Sequence, residues 1–236
     1  MKTFNQFRST LRYHKQLNPK LWRGEKLDTV VRLKLLQIAD AWAEFAEVPK
    51  GAIKDVIITG GNVNYNYTKQ SDIDVHLVVD YDAMDCDKDL VFDYFMAKKS
   101  LWATTHNVTV YKFPVELFAE PVDTTRKIGQ GVYSIKKDKW LQKPQFQDLD
   151  FSKDEMLGNK VEFYTREIEN AIAGRVDMSV ANELKNKIYS MRAAAIQSQG
   201  EFSFENLVFK ELRNRGMIDK LRDYLRTSKD TQLSLR

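Results

Sequence analysis

The stretch ITGGNVNYNYTKQSDIDVH, which spans residues 58–76, decides how this chain is expected to fold. It begins inside a β-branched run, residues 56–59, that predicts a strand ending at Gly60 and Gly61. Residues 71–80, SDIDVHLVVD, predict a second strand that is acidic at its start and apolar afterwards. We therefore expect two strands joined by a glycine turn and a polar linker.

The two halves of this stretch suit metal-assisted phosphate chemistry. Without side chains, Gly60 and Gly61 allow the backbone to approach a phosphate closely. On a strand, residues i and i+2 share one face, so Asp72 and Asp74 point the same way. Two aspartates this close repel each other unless a cation lies between them, and their hard oxygen ligands suit Mg²⁺. Each half alone is usually a plain turn or a solvated pair of charges, but their combination in this order is much more specific.

Apolar residues on both sides of the stretch predict further helices and strands. Upstream, apolar positions between residues 27 and 45 recur every three or four residues, which predicts an amphipathic helix that ends before Pro49. Downstream, residues 87–104 have helical spacing, while residues 108–118 and 131–140 each predict one strand.

The pattern becomes wholly helical after Pro144. A capping box from Ser152 to Glu155 predicts the start of one helix, and three more helices are expected after it. This order predicts an α+β protein: a small mixed β-sheet core flanked by helices, followed by a C-terminal helical bundle. The expected domains are residues 1–150 for the core with its N-terminal helix and residues 151–236 for the helical domain.

Composition limits the class of protein. With 43% hydrophobic and 30% charged residues in 236, the chain is an ordinary globular sequence. No apolar run approaches the roughly 20 residues that a membrane-spanning helix needs, and no secretory signal is recognised. Cys86 is the single cysteine, so neither an internal disulfide nor a cysteine zinc site is expected, nor a disulfide-linked partner. We therefore expect a cytoplasmic protein.

Charge is distributed unevenly along the chain. The net charge is +4, but residues 1–36 hold nine Lys or Arg against two acids, and residues 210–236 hold eight against four. Basic ends around an acidic centre suit an enzyme that grips a polyanion and processes it at a metal site. Plain solvation of helix faces explains the same charges equally well. The basic residues on the last two predicted helices are Arg213, Arg215, Lys220, Arg222 and Arg226.

Residues 58–76 resemble the signature of the DNA polymerase β-like nucleotidyltransferase superfamily, a G-[GS] pair followed about a dozen residues later by [DE]-x-[DE]. They are more closely similar to an uncharacterised branch familiar from large tailed bacteriophages, with NYN and SDIDxH after the glycine loop. The similarity extends to KFPVELF (112–118), GVYSI (131–135) and ENLVFKELRN (205–214).

The resemblance implies a third carboxylate on a neighbouring strand. We match Glu116 to it, since an acid in so apolar a segment needs a reason to be there and a metal would supply one. Asp123 and Glu120 are the rival choices. Asp72, Asp74 and Glu116 are then both the expected catalytic residues and the expected ligands of two Mg²⁺ ions.

The resemblance also implies that Gly60, Gly61 and Asn62 hold the phosphates of a nucleotide. The superfamily often has Ser where this chain has Gly61, so the hydroxyl is missing here. Asn62 is the expected substitute for it.

The implied activity is metal-dependent transfer of NMP from an NTP, with ATP the expected nucleotide, to an acceptor hydroxyl, with release of pyrophosphate. RNA is the first candidate acceptor because of the basic ends, and a tRNA 3′ end is one form of it. A hydroxyl of a protein or of a small molecule is the alternative acceptor. A non-catalytic nucleotide- or RNA-binding module with the same fold is the alternative of a different class. If the chain is phage-encoded, it would act in the host cytoplasm.

Overall fold

The computed structural model describes residues 7–126, 129–151 and 153–235, and it divides the chain into two compact units. The sheet unit comprises residues 13–148. The helical unit comprises residues 149–235 together with 7–12 at the start of the chain. The short segment before Tyr13 therefore belongs with the C-terminal helices, although it is far from them in sequence.

A mixed β-sheet is the frame of the sheet unit. Among the described residues it has six strands: β3 Ile53–Thr59, β4 Ile73–Val79, β5 Thr109–Val110, β6 Phe113–Pro121, β7 Val132–Ser134 and β8 Lys139–Gln142. They lie side by side in the order β5-β6-β4-β3-β7-β8. Strands β4 and β6 pair in parallel, whereas β3 pairs antiparallel to both β4 and β7. A small ribbon, β1 Trp22–Arg23 and β2 Lys26–Leu27, precedes the sheet.

Two helices flank this sheet. Helix α1, Thr29–Phe45, begins where the Asp28 carboxylate accepts hydrogen bonds from the N–H groups of Val30 and Val31. Helix α2, Lys88–Thr105, has the same kind of cap at Asp87 and connects β4 to β6. A crossover helix is what a parallel strand pair requires, because a tight turn cannot join two strands that run in the same direction.

Strand β4 shows how the sequence separates core from site. Its odd-numbered residues are buried, from Ile73 at 0% exposure to Val79 at 0%, and they belong to the core that includes Trp42 of α1. Its even-numbered residues, Asp74 and His76 among them, are only half-buried on the opposite face. One face of the strand therefore anchors the sheet, and the other presents polar groups.

The predicted fold class, a mixed α+β core with C-terminal helices, is confirmed. Two single strands of the prediction are each hairpins instead. Residues 108–118 split into β5 and β6 at Tyr111 and Lys112, and residues 131–140 split into β7 and β8 with Asp138 in the turn. All three turn residues have positive φ, between 49° and 71°, which is uncommon outside glycine and was not expected from the sequence.

The helical unit packs four helices around its own core. These are α3 Glu155–Ile172, α4 Met178–Gln199, α5 Phe204–Asn214 and α6 Met217–Leu233 among the described residues. Helix α3 is capped by Asp154, whose carboxylate accepts from the N–H of Leu157. The predicted capping box began at Ser152, which lies outside the described residues. Apolar side chains such as Val161, Ile168 and Leu212 fill the core.

Glu211 of α5 attaches residues 9–11 to the helices of this unit. Its side chain is completely buried, and its carboxylate accepts hydrogen bonds from the hydroxyl of Ser9, the N–H and hydroxyl of Thr10 and the N–H of Leu11. Arg215 donates to the same carboxylate at 3.3 Å. A buried carboxylate with this many donors is a structural group, because its charge is satisfied by the fold.

Within the described residues, no helix is both long and apolar enough to span a membrane.

Candidate active site

Two neighbouring strands bring together the three acids that the sequence suggested. Asp72 directly precedes β4, Asp74 is its second residue, and Glu116 is on β6. One carboxylate oxygen from each of the three lies within 4.8 Å of the others. Asp72 and Asp74 are half-buried and Glu116 is exposed, so solvent reaches this carboxylate cluster.

Strand register explains why these residues meet. In the parallel pair, Asp74 lies opposite Glu116, and side chains at directly opposite positions point to the same face of a sheet. Asp72 shares that face because it is two residues from Asp74. The rivals are elsewhere: Glu120 lies opposite Val78 further along β6, and Asp123 follows the end of that strand.

Gly60 permits the close approach of the glycine turn to the cluster. It follows β3 with φ of 80° and ψ of −164°, a conformation that residues with side chains rarely adopt. A Cβ at Gly60 would lie 2.8 Å from Cγ of Asp74 and overlap its Oδ2. The absence of a side chain here is therefore required both by the backbone and by the position of the Asp74 carboxylate.

Gly61 has no hydroxyl of its own, but the hydroxyl of Ser71 lies beside it. A Cβ at Gly61 would lie 3.1 Å from the hydroxyl oxygen of Ser71, which is buried next to the turn. That oxygen accepts a hydrogen bond from the N–H of Thr68 at 2.9 Å. Ser71 directly precedes Asp72, so its place in SDID was the signal in the sequence that could have identified it.

Asn62 has a role that differs from the phosphate contact expected of it. Its side chain is completely buried, donates to the carbonyl of Asp72 at 2.7 Å and accepts from the amide of Asn18 at 2.8 Å. The Trp22 indole donates to the Asn62 carbonyl at 2.8 Å. An amide used in this way holds the glycine turn against Asp72, and its side chain is not available to a phosphate.

Gly131, directly before β7, packs against the other side of the same turn. Asn64 donates to the carbonyl of Gly60 at 2.6 Å and accepts from the N–H of Gly131 at 2.9 Å. A Cβ at Gly131 would lie 3.1 Å from the carbonyl carbon of Val63 and overlap its oxygen. The turn that carries Gly60 is therefore fixed from both sides by buried amides.

Lys99 of α2 places a cation against the cluster. Its ammonium group lies 3.1 Å from Oε2 of Glu116, and the two side chains are 34% and 48% exposed. Ion pairs with this much exposure contribute little free energy, so Glu116 can exchange this partner for another cation. Lys99 could not be identified from the sequence, since one lysine among many on a helix gives no signal of a contact across the fold.

A second group of charges lies further along the same face. Glu120 is buried, and its carboxylate is 2.7 Å from Nδ1 of His76 and also ion-pairs with Arg126. Burial by itself would raise the pKa of Glu120, but the hydrogen bonds and charges of His76 and Arg126 outweigh it and hold that pKa below its usual value. Burial and the charge of Glu120 together raise the pKa of Tyr81 to about 12. The charge of Glu120 is therefore balanced by partners within the fold.

No protein-family model matches the chain, and no curated protein matches it. Among solved structures, it is similar to the STING-associated CdnE c-di-GMP synthase from Capnocytophaga granulosa, at 11% identity over 86% of this chain and 81% of that one, with a TM-score of 0.23. A STING-associated CdnE c-di-GMP synthase from Flavobacteriaceae sp. is similar at 12% identity over 86% and 84%, also with a TM-score of 0.23. At TM-scores this low, neither similarity supports a functional assignment.

Proposed function

We propose that this protein is a metal-dependent nucleotidyltransferase that transfers NMP from an NTP to an acceptor hydroxyl. The observation that supports the proposal is the meeting of Asp72, Asp74 and Glu116 within 4.8 Å, against a turn whose Gly60 tolerates no side chain. Three carboxylates this close to one another repel, and a bound cation would relieve that repulsion.

The donor set suits magnesium. All three side chains offer hard oxygen ligands, and their close approach calls for a positive charge among them. Asp72 and Asp74 would hold two Mg²⁺ ions, with Glu116 completing the second site. Bound there, the ions would stabilise the negative charge of the triphosphate and lower the pKa of the acceptor hydroxyl.

The residues of this chain would divide the remaining work. The backbone at Gly60 and Gly61 would accommodate the phosphates, and Asn62 would hold that turn in place through the Asp72 carbonyl. Glu116, the exposed member of the cluster, would receive the proton of the acceptor hydroxyl. The acceptor oxygen would then bond to the α-phosphorus as the bond to the β-phosphate oxygen breaks, and pyrophosphate would leave.

RNA is the acceptor that we favour, with a tRNA 3′ end as one form of it. The basic start of the chain supports this choice, because residues 13–36 of the sheet unit retain an excess of Lys and Arg. Of the basic residues on the last helices, Arg215 is paired with buried Glu211 and is not free for a nucleic acid.

The experiment is to incubate the protein with each α-labelled NTP, Mg²⁺ and a total lysate, and to ask whether label enters RNA or protein. Magnesium-dependent label in RNA, with matching release of pyrophosphate, is the expected result. Label in protein or in a small molecule would reassign the acceptor. Absence of both label and pyrophosphate release with every NTP would overturn the proposed activity.

A further inference from the structure

We propose that a basic cleft of the sheet unit, lined by Lys20, Arg23, Tyr111 and Lys112, binds the phosphate backbone of single-stranded RNA and stacks a base on Tyr111. The inference rests on the proposed function in taking RNA as the acceptor. It goes further in naming the surface that holds it.

The chemistry of the cleft is that of a phosphate site. Its volume is about 430 Å³, its lining residues are all exposed, and three of them are cations. Arg23 is 3.2 Å from Asp28, but neither Lys20 nor Lys112 has an ion-pair partner among the described residues. The ammonium group of Lys20 lies 5.7 Å from the centre of the Phe113 ring. Two ammonium groups without a carboxylate partner beside an exposed aromatic ring favour an anionic ligand with a flat group attached.

Backbone strain at the same place gives an independent reason to expect a ligand. Tyr111 and Lys112 form the turn between β5 and β6 with φ of 49° and 71°. Two-residue hairpin turns of this kind prefer Asn-Gly, because side chains are disfavoured at positive φ. Retaining Tyr and Lys there sacrifices stability, and strained residues of this kind cluster at functional sites.

Strand register places the cleft at the end of the sheet where the carboxylate cluster lies. Strands β4 and β6 start at that end, and Lys112 directly precedes β6. Lys112 is four residues before Glu116, which is about 13 Å along a strand. The opposite wall is held there too, because Asn18 and Trp22, on either side of Lys20, both hydrogen-bond to Asn62 of the glycine turn.

A single strand fits these features better than a duplex. Stacking on Tyr111, which is 52% exposed, requires an unpaired base. Lys20, Arg23 and Lys112 would contact the phosphates on either side of that base. The triphosphate of an NTP has the same phosphate chemistry, so the experiment includes it as a separate ligand.

The test measures fluorescence anisotropy of a labelled single-stranded RNA across a salt series, in EDTA and without nucleotide. We expect the variant Lys20→Gln/Lys112→Gln to bind about tenfold more weakly, and its slope of log K against log salt to be lower by about 1.4, since each phosphate contact on a single strand contributes about 0.7. The control variant, Lys50→Gln/Lys54→Gln, removes two positive charges at the opposite end of the sheet, where β3 begins. We expect it to bind as the wild type does.

Tyr111→Gly separates binding from folding. Glycine suits the positive φ, so this variant should unfold at the same temperature as the wild type or a higher one. Its RNA affinity should still fall by roughly 5- to 150-fold, the range for loss of one stacked base, with an unchanged salt slope. Normal RNA binding by this variant would overturn the role of the ring.

The remaining outcomes decide between ligands. Three results would each overturn the proposal. The first is that the Lys50→Gln/Lys54→Gln control loses as much RNA affinity as Lys20→Gln/Lys112→Gln. The others are that the wild type does not bind RNA, or that it binds poly-glutamate as tightly as RNA. If Lys20→Gln/Lys112→Gln lost NTP binding but kept RNA binding, the cleft would be a triphosphate site, and the proposal would be overturned as well. The readout does not depend on catalysis, so RNA could bind here even if the protein released no pyrophosphate.

Discussion

The two units of the molecule use buried or clustered carboxylates in opposite ways. In the helical unit, Glu211 is completely buried and accepts hydrogen bonds from the Ser9–Leu11 segment and from Arg215. In the sheet unit, the carboxylates of the cluster lie within 4.8 Å of one another on a face that solvent reaches. In the helical unit the charge of the carboxylate is balanced by hydrogen-bond donors and stabilises the fold. In the sheet unit the repulsion between neighbouring carboxylates lowers stability. A cluster of that kind is expected where a protein binds a cation.

The largest difference should come from the cluster itself. We expect Asp72→Asn/Asp74→Asn to lower magnesium-dependent pyrophosphate release by about a thousandfold or more, because the charges that hold the ions are gone. The melting temperature should not fall, since the change removes a repulsion. The matched control is Asp85→Asn/Asp93→Asn, which removes the same charge from exposed positions of the same unit. Unfolding of the first variant, or normal turnover by it, would show that the comparison between the units is wrong.

Gly60→Ala should give the next largest effect. The added Cβ would overlap Oδ2 of Asp74, and the backbone conformation disfavours it as well. We expect pyrophosphate release to fall about a hundredfold through displacement of that carboxylate, with a loss of roughly 1–3 kcal/mol in the free energy of unfolding. Gly51→Ala is the control, because nothing lies within 4 Å of its added Cβ and its φ is not positive. Full activity of Gly60→Ala would show that the close approach of the glycine turn to Asp74 is not needed for pyrophosphate release.

Glu211→Ala tests the other side of the comparison. It leaves buried donors and the guanidinium of Arg215 without their acceptor, so we expect a loss of about 3 kcal/mol in the free energy of unfolding, measured by urea denaturation. Asp223→Ala is the control, since its ion pair with Arg226 is about 70% exposed on both sides (69% and 72%) and should contribute less than about 1 kcal/mol. Equal losses in the two variants would mean that burial of Glu211 does not matter to the fold.

The smallest effect concerns Glu120. Its folded-state pKa lies below that of the unfolded chain, so its stabilisation is complete above the unfolded value of about 4.3 and is lost as the pH falls through the lower folded value. Glu120→Gln lacks this contribution. We therefore expect the stability difference between wild type and variant, measured by thermal unfolding, to narrow as the pH is lowered below about 4.3. A difference that stays constant down to the acid transition would contradict the ion pairs of Glu120 with His76 and Arg126.

Much of the sheet unit could be predicted because its patterns are local. The alternation along β4 and the pair of aspartates at its start are visible in the letters themselves, and the helices on both sides follow the spacing of their apolar residues. The positive-φ turns at Tyr111 and at Asp138 could not be predicted, because neither contains the glycine or asparagine that usually marks such a turn. One strand was therefore predicted where the chain forms two.

Contacts between residues far apart in the sequence could not be predicted either. The sequence placed residues 1–12 with the core, yet those that the structure describes pack with the helical unit through Glu211, about 200 residues away. The roles of Asn62 and Lys99 also depend on partners that only the fold brings near. By contrast, the family resemblance implied a third carboxylate on a neighbouring strand, and Glu116 was matched to it because an acid in so apolar a segment has few other reasons to be there.

The attachment of the first described residues to Glu211 has a consequence for synthesis on the ribosome. Leu11 and its acceptor are 200 residues apart, so at about 5–20 residues per second the segment waits roughly 10–40 seconds for its partner to be made. During that time residues 13–148, which are contiguous, can already fold as the sheet unit. Phe7, which later packs against Gly158 and beneath the guanidinium of Arg215, stays exposed to solvent until the last helices emerge. The first segment of the helical unit to be translated is thus among the last to find its place, and over that interval it is open to chaperones and proteases.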